Sequence, residues 1–85
     1  MYELDLKRSA AKFFESKKVP VHAKVRARNA IAEILAEPRK GDKHLKGEYH
    51  CFWRRRVGDY RIVYRVSDKE RVVSVVEICY RSQCY

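Results

Sequence analysis

Trp53-Arg54-Arg55-Arg56-Val57-Gly58-Asp59-Tyr60-Arg61-Ile62-Val63-Tyr64-Arg65-Val66 is the stretch on which the fold of this 85-residue chain turns. Gly58-Asp59 lies between two β-prone arms, and a two-residue loop with glycine first fits a type II′ turn, whose first position needs φ > 0. Counting outward sets Val57 opposite Tyr60, Arg56 opposite Arg61, Arg55 opposite Ile62, Arg54 opposite Val63 and Trp53 opposite Tyr64. Phe52 then faces Arg65, and Cys51 faces Val66. Directly opposed residues share a side of the sheet. One side therefore carries Cys51, Trp53, Arg55, Val57, Tyr60, Ile62, Tyr64 and Val66, a core face with Arg55 as its intruder. The other carries Phe52, Arg54, Arg56, Arg61, Val63 and Arg65. Its guanidinium groups stand at strand spacings of roughly 4.8 Å across and two residues along. Such a cluster repels itself unless an anion occupies it, which makes it a candidate phosphate site. The plainer reading is a solvated sheet face.

Length restricts the rest. Eighty-five residues make a single domain, 1–85, with one modest core. Apolar residues at 46% and charged residues at 36% describe a soluble globular chain, and no apolar run approaches the roughly 20 residues of a membrane span. Met1 to Lys7 alternates and carries acids, unlike a signal peptide. Cys51, Cys79 and Cys84 lack C-x-x-C spacing, so the expectation is buried structural thiols in a reducing cytoplasm, without a disulfide framework. His22, His44 and His50 form no recognisable ligand spacing with them, so no metal or other cofactor is expected.

The net charge of +9 is unevenly spread. Six of those excess charges fall between Arg39 and Arg65, where Arg39, Lys40, Lys43, Lys46, Arg54, Arg55, Arg56, Arg61 and Arg65 meet only Asp42, Glu48 and Asp59. A localised basic field points to nucleic acid or an acidic protein. A membrane surface fits poorly, because the charges lie on a sheet and loop and not along an amphipathic helix.

Upstream of the hairpin, Tyr2, Leu4 and Leu6 alternate with charged residues as in a short half-buried strand. Ser9 is a candidate cap for a helix through Lys18, with Ala10, Phe13 and Phe14 facing the core. Val19-Pro20 breaks it and opens a second helix, whose apolar stripe is Ala23, Ala27, Ile31, Ile34 and Leu35, with Lys24, Arg26, Arg28 and Glu33 largely left to solvent. Pro38 stops it after Glu37. The short link implies an antiparallel helical hairpin on one face of the sheet. Arg39 to Gly47 reads as a basic loop anchored by Leu45. Its Lys43 and Lys46 either sit in solvent or extend the positive patch to a nucleic-acid backbone.

Downstream, Val72 to Cys79 is a nearly continuous apolar strand, completing a three-stranded antiparallel meander in an α+β fold. A three-residue loop, Asp68 to Glu70, pairs Ser67 with Arg71 and puts Arg61 opposite Glu77. Val73, Val75, Glu77, Cys79 and Arg81 then share the arginine face. Arg81 reaches the Gly58-Asp59 end, where Arg56, Arg61 and Arg81 converge.

The hairpin motif, preceded by Leu45-Lys46-Gly47 and followed by Arg81-x-x-x-Tyr85, resembles the RelE/ParE superfamily of toxin–antitoxin toxins, on the RelE side. The resemblance runs through nearly the whole chain in order and implies a RelE-like, microbial-ribonuclease-type α/β fold. It further implies metal-independent cleavage of mRNA in the ribosomal A site, neutralisation by a cognate antitoxin, and binding of operator DNA only as the toxin–antitoxin complex. Carried over by position, Arg54, Arg61, Arg81 and Tyr85 match the catalytic positions. Arg56 is a supporting phosphate contact, and Lys43, Lys46 and Arg65 extend the RNA-binding surface. Two positions depart from the family pattern: Phe52 stands where some RelE-type members have a lysine, and Tyr80 where many relatives have a histidine before the terminal arginine, so the general base has no assigned residue. Two other readings remain: a ParE-like DNA gyrase inhibitor without nuclease activity, and a non-catalytic RNA-binding module.

Overall fold

The turn at Gly58-Asp59 sits where counting places it. In the computed structural model of the chain, which describes residues 1–81, the register runs Val57↔Tyr60, Arg56↔Arg61, Arg55↔Ile62, Arg54↔Val63 and Trp53↔Tyr64. Gly58 adopts φ +61, the left-handed value the first loop position requires. A side chain there would also meet the Arg26 guanidinium, whose Nη1 lies 2.9 Å from the point a Cβ would occupy.

The elements in order are β1 (Glu3–Leu6), α1 (Arg8–Glu15), α2 (Val21–Ala36), β2 (Lys43–His44), a 3-10 turn (Gly47–Tyr49), β3 (Trp53–Val57), β4 (Tyr60–Ser67) and β5 (Val72–Tyr80). They form a mixed α+β fold whose five-stranded sheet has the order β1-β5-β4-β3-β2. The expected meander is its centre. β1 adds a parallel edge on β5, from Glu3↔Val72 to Leu6↔Val75. The segment read as a basic loop contributes the opposite edge, because Lys43 pairs with Arg54 and His44 with Trp53.

Both helices supply the core on one sheet face. Ala10 and Phe13 from α1, with Ala23, Ala27, Ala30, Ile31 and Ile34 from α2, pack with Ile62, Tyr64, Val73, Val75 and Ile78. At the turn end, Phe13 meets Tyr60 edge-on at 5.1 Å and Tyr60 meets Tyr80 at 5.3 Å, the offset geometry that aromatic quadrupoles favour. Leu35, expected in the stripe, is only partly buried against this cluster. Leu4 and Leu6 point to the core side but remain exposed, because β1 has no neighbour on its outer edge.

Several boundaries differ from expectation. Ser9 does not cap α1. The helix starts at Arg8 with Lys7 at the cap position and no side-chain cap, because the Lys7 N–H is held by the Val75 carbonyl where the β1–β5 ladder ends. It stops at Glu15, not Lys18, since Ser16 turns extended and its Oγ accepts the Lys18 N–H at 3.1 Å. α2 ends at Ala36, with Glu37 as its cap ahead of Pro38.

The register of β5 also needs correction. Ser67 pairs with Val72, not Arg71, so the β4–β5 loop has one residue more than expected, and Arg71 takes φ +56 to close it. Val73 and Val75 consequently face the helix-side core opposite Val66 and Tyr64. A bulge then absorbs Val76, and beyond it Val63 pairs with Glu77, Ile62 with Ile78 and Arg61 with Cys79. The bulge returns Glu77 and Cys79 to the arginine side, but Cys79, not Glu77, stands opposite Arg61. The cysteines depart from expectation as well: Cys79 is disulfide-bonded, and Cys51 is free and exposed at the loop before β3. Among the described residues, no helix is long and apolar enough to cross a membrane.

Candidate nucleic-acid interface

Two rows of side chains cross the sheet face away from the helices. One runs Lys43–Arg54–Val63–Glu77, the other Arg56–Arg61–Cys79. Adjacent rows are two residues apart along each strand, about 6.7 Å. Lys43, Arg54, Arg56 and Arg61 therefore share one face with Glu77 at its margin, and Arg56, at the sheet edge, also borders cavities lined by Glu33 of α2. The face is not simply wet. Val63 is fully buried and Leu45 nearly so, yet both lie outside the helix-side core cluster, and Arg61 keeps its Nη1 shielded from solvent. Low local dielectric makes such guanidinium groups stronger partners for an anion than they would be in water.

The second row ends at the turn. The Arg81 backbone N–H donates to the Asp59 carbonyl at 2.7 Å, which brings the end of β5 beside Gly58-Asp59. Its guanidinium lies 3.4 Å from Asp59 Oδ1 and 5.1 Å over the Tyr80 ring. Tyr80 therefore seats the arginine by a cation–π contact. Arg56 donates weakly from Nε to the Gly58 carbonyl at 3.4 Å. Arg26, read from the helix pattern as solvent-facing, covers the same turn from α2.

Arg65 is not brought into this patch. It pairs with Ser74, whose hydroxyl donates to Asp5 Oδ2 at 3.1 Å, at the opposite end of β4. Lys7, Ser74 and Arg65 together hold the Asp5 carboxyl below the usual carboxylate range, Lys7 most of all. Lys46 sits with Lys43 and Arg54 around a separate shallow cavity. Tyr85 lies outside the described residues. Phe52 is half-buried with its ring tilted against Tyr49 at 6.4 Å.

The alternation of the hairpin marks Arg55 as an intruder on the core face but does not show the partners that hold it there. Arg55 donates from Nε to Asp42 Oδ1 at 2.7 Å, from Nη1 to Glu33 at 3.0 Å, and from Nη2 to the Lys40 carbonyl at 3.2 Å. The Tyr64 hydroxyl donates to the other Asp42 oxygen and accepts the Arg39 N–H at 2.9 Å. Burial, with the Asp42 hydrogen bond second, pushes the Tyr64 phenol well above its ordinary range. This network fastens residues 39–42 to the core side of the sheet and so delivers Lys43 to Arg54. The two histidines near the patch are tied to backbone: His44 Nε2 lies 2.6 Å from the His50 carbonyl, and His50 Nδ1 lies 3.1 Å from that of Gly47. Among the described residues, no group of three or more His, Cys, Asp or Glu is placed to hold a metal ion.

Comparison with known proteins matches this architecture. The isolated RelE toxin of E. coli superposes with a TM-score of 0.78 at 26% identity, over 99% of this chain and 88% of that one. The toxin–antitoxin complex RelBE of E. coli gives 0.76 at 27% identity, covering 96% and 98%. The complex RelBE2 of Mycobacterium tuberculosis gives 0.80 at 23% identity, covering 94% and 98%. No curated protein sequence matches. The family described as the ParE toxin of type II toxin–antitoxin systems, parDE, matches residues 4–85. With that match across nearly its whole length and RelE-type toxins as its structural neighbours, the chain belongs to the ParE toxin family, within the RelE/ParE superfamily of type II toxins.

Proposed function

We propose that this toxin is a metal-independent endoribonuclease that cleaves mRNA in the ribosomal A site and so halts translation. The observation that carries this reading is the gathering of Arg54, Arg56 and Arg61 on one partly dry face, with Arg81 at its turn end.

The chemistry needs that set. The 2′-hydroxyl of the nucleotide upstream of the cut attacks the scissile phosphorus, the 5′-oxygen leaves with a proton, and the products are a 2′,3′-cyclic phosphate and a free 5′-hydroxyl. Charge builds on the non-bridging oxygens during attack. Arg61 and Arg81 hold these oxygens, and one well-placed donor in a dry site is worth roughly 3 kcal/mol of barrier. Arg81 also assists the leaving oxygen, since its contact with Asp59 is long and exposed enough to exchange for substrate. Arg54 orients the attacking hydroxyl, Arg56 adds a phosphate contact, and Tyr85 stacks on the adjacent base or relays a proton. Arginine hardly deprotonates, so none of these arginines is the base. Lys43 and Lys46 extend the track for the RNA backbone, and Arg65 contributes from the far end of β4.

A cognate antitoxin is the proposed protein partner, in keeping with the RelBE complexes among the structural neighbours. Operator DNA is bound only by the pair. The site of action is the cytoplasm.

One observation favours a second reading. The matching family is described by ParE, and with lysine and histidine replaced at Phe52 and Tyr80 the chain suits a toxin that binds DNA gyrase and cuts nothing. Induced expression with mapping of mRNA 5′ ends, in translating and non-translating extracts, separates the two. Cuts confined to translated mRNA support the nuclease. Arrested growth with intact mRNA and trapped gyrase supports the second reading. RNA binding with growth and transcripts unaffected contradicts both and leaves a plain RNA-binding module.

A further inference from the structure

Beside the arginine rows, at the β2 edge, lies a cavity of about 310 Å³ lined by Lys43, His44, Leu45, Lys46, Tyr49 and Arg54. Its size is at the lower end for a small-ligand site, about right for a single nucleotide. The lining contains three cations and no acid. It also contains two rings: Tyr49, half-buried on the 3-10 turn, and His44, which stacks on Trp53 at 4.4 Å and 7° between planes.

The walls are built, not accidental. The Leu45 N–H donates to the Phe52 carbonyl at 3.1 Å and the Phe52 N–H to the Tyr49 carbonyl at 2.9 Å, so the 45–52 excursion is closed on itself. Leu45 is buried beneath it. On the other side, the Arg55–Asp42–Tyr64 network sets the position of Lys43. A rigid aromatic wall next to convergent cations suits a ligand with a flat π-face joined to a phosphate. Cations alone would serve any anion, whereas the rings give a preference for a base.

We infer that this cavity is a nucleotide subsite, in which Tyr49 stacks on one base of a single-stranded RNA and Lys43, Lys46 and Arg54 hold its phosphate. The inference rests on the RNA reading of the neighbouring arginine face. Because Arg54 belongs to both, the subsite would receive a nucleotide adjoining the one held by Arg61 and Arg81, and the pocket would set which base is accepted beside the cut.

Trp53, the only tryptophan in the chain, stacks on the cavity-lining His44 and reports occupancy by its emission. The test titrates the folded protein with uridine and adenosine 5′-monophosphate, with inorganic phosphate, and with a glutamate-rich peptide, at low salt. The expected result is saturable quenching or shift of Trp53 emission by at least one nucleotide, at an affinity on the order of tenfold above inorganic phosphate. Tyr49→Leu should erase that advantage and Tyr49→Phe should keep it, with thermal melts confirming that both variants fold. Equal affinity for nucleotide and phosphate, binding unchanged in Tyr49→Leu, or a peptide that binds as tightly as the nucleotides would each overturn the subsite. mRNA cleavage is measured on the same preparation. Cutting without Tyr49-dependent binding rejects the pocket and leaves the nuclease standing, whereas Tyr49-dependent binding without cutting upholds the pocket and rejects the nuclease.

Discussion

Arg55 and Asp42 form an ion pair at 2.7 Å, with side chains only 14% and 4% exposed, between the middle of β3 and the segment leading into β2. A buried pair of this kind contributes little compared with apolar residues of the same shape, but removing one partner strands a charge. Arg55→Leu alone should destabilise the fold by roughly 3 kcal/mol. The double variant Arg55→Leu/Asp42→Leu should recover part of that loss. Urea denaturation of the single and double variants measures both, and a double variant as unstable as the sum of the singles would contradict the pairing.

Tyr64 shares the Asp42 carboxylate, and Tyr64→Phe leaves that oxygen without its donor at an expected cost of about 1–3 kcal/mol. The phenol's ionisation is raised on folding. Its neutral form is thus favoured in the folded state, and the contribution is fully present below the unfolded value near 10. It is lost as pH rises from there toward the folded value. Denaturation midpoints above about pH 10 should fall more steeply for the natural chain than for Tyr64→Phe.

At the opposite extreme of pH, Asp68 accepts from Arg39 at 2.9 Å and from the Tyr2 hydroxyl at 2.7 Å, which hold its carboxyl below the ordinary range, Arg39 first. A depressed carboxylate stabilises above its unfolded pKa of about 3.9 and ceases to do so as pH falls through the folded value. Stability should therefore decline as pH drops toward 4 and below. Asp68→Asn should flatten that decline in an acid titration of the melting temperature, modestly, because the site is exposed.

The arginines should separate into two groups in RNA assays. Arg81→Ala should abolish cleavage with an unchanged circular dichroism spectrum, since Arg81 stands beside the turn and outside the helix-side core. Arg65→Ala should slow cutting only a few-fold, because Arg65 lies at the far end of β4 near Asp5. It should reduce the log–log salt slope of RNA binding by about 0.7, the value for one single-strand phosphate contact.

The hairpin was legible because its turn leaves one register and its alternation has one consistent core side. Arg55 was visible as an anomaly on that side. Its partner was not, since Asp42 meets it only after the chain has passed through β2, and a two-residue strand is too short to show any period. The β5 register failed for two physical reasons. Arg71 adopts a left-handed conformation that sequence assigns to glycine or asparagine, so the loop reads one residue short from its residue types. The bulge at Val76 then swaps faces within a run of valines that looks the same on either side. The pairing of β1 with β5 depends on tertiary packing, not on any local pattern. The arginine patch was readable in outline because Arg54, Arg56 and Arg61 follow from the turn alone, whereas the Tyr49 cavity requires the 45–52 excursion to fold back.

The most direct test of the arginine face as an RNA-cleaving site is end analysis of mRNA from a translating extract, treated with the natural toxin or with Arg61→Ala. The expected products are fragments with 5′-hydroxyl and 2′,3′-cyclic phosphate ends, formed roughly 10²–10³-fold more slowly by Arg61→Ala. Intact mRNA with the natural toxin, or equal cutting by the variant, would contradict the account.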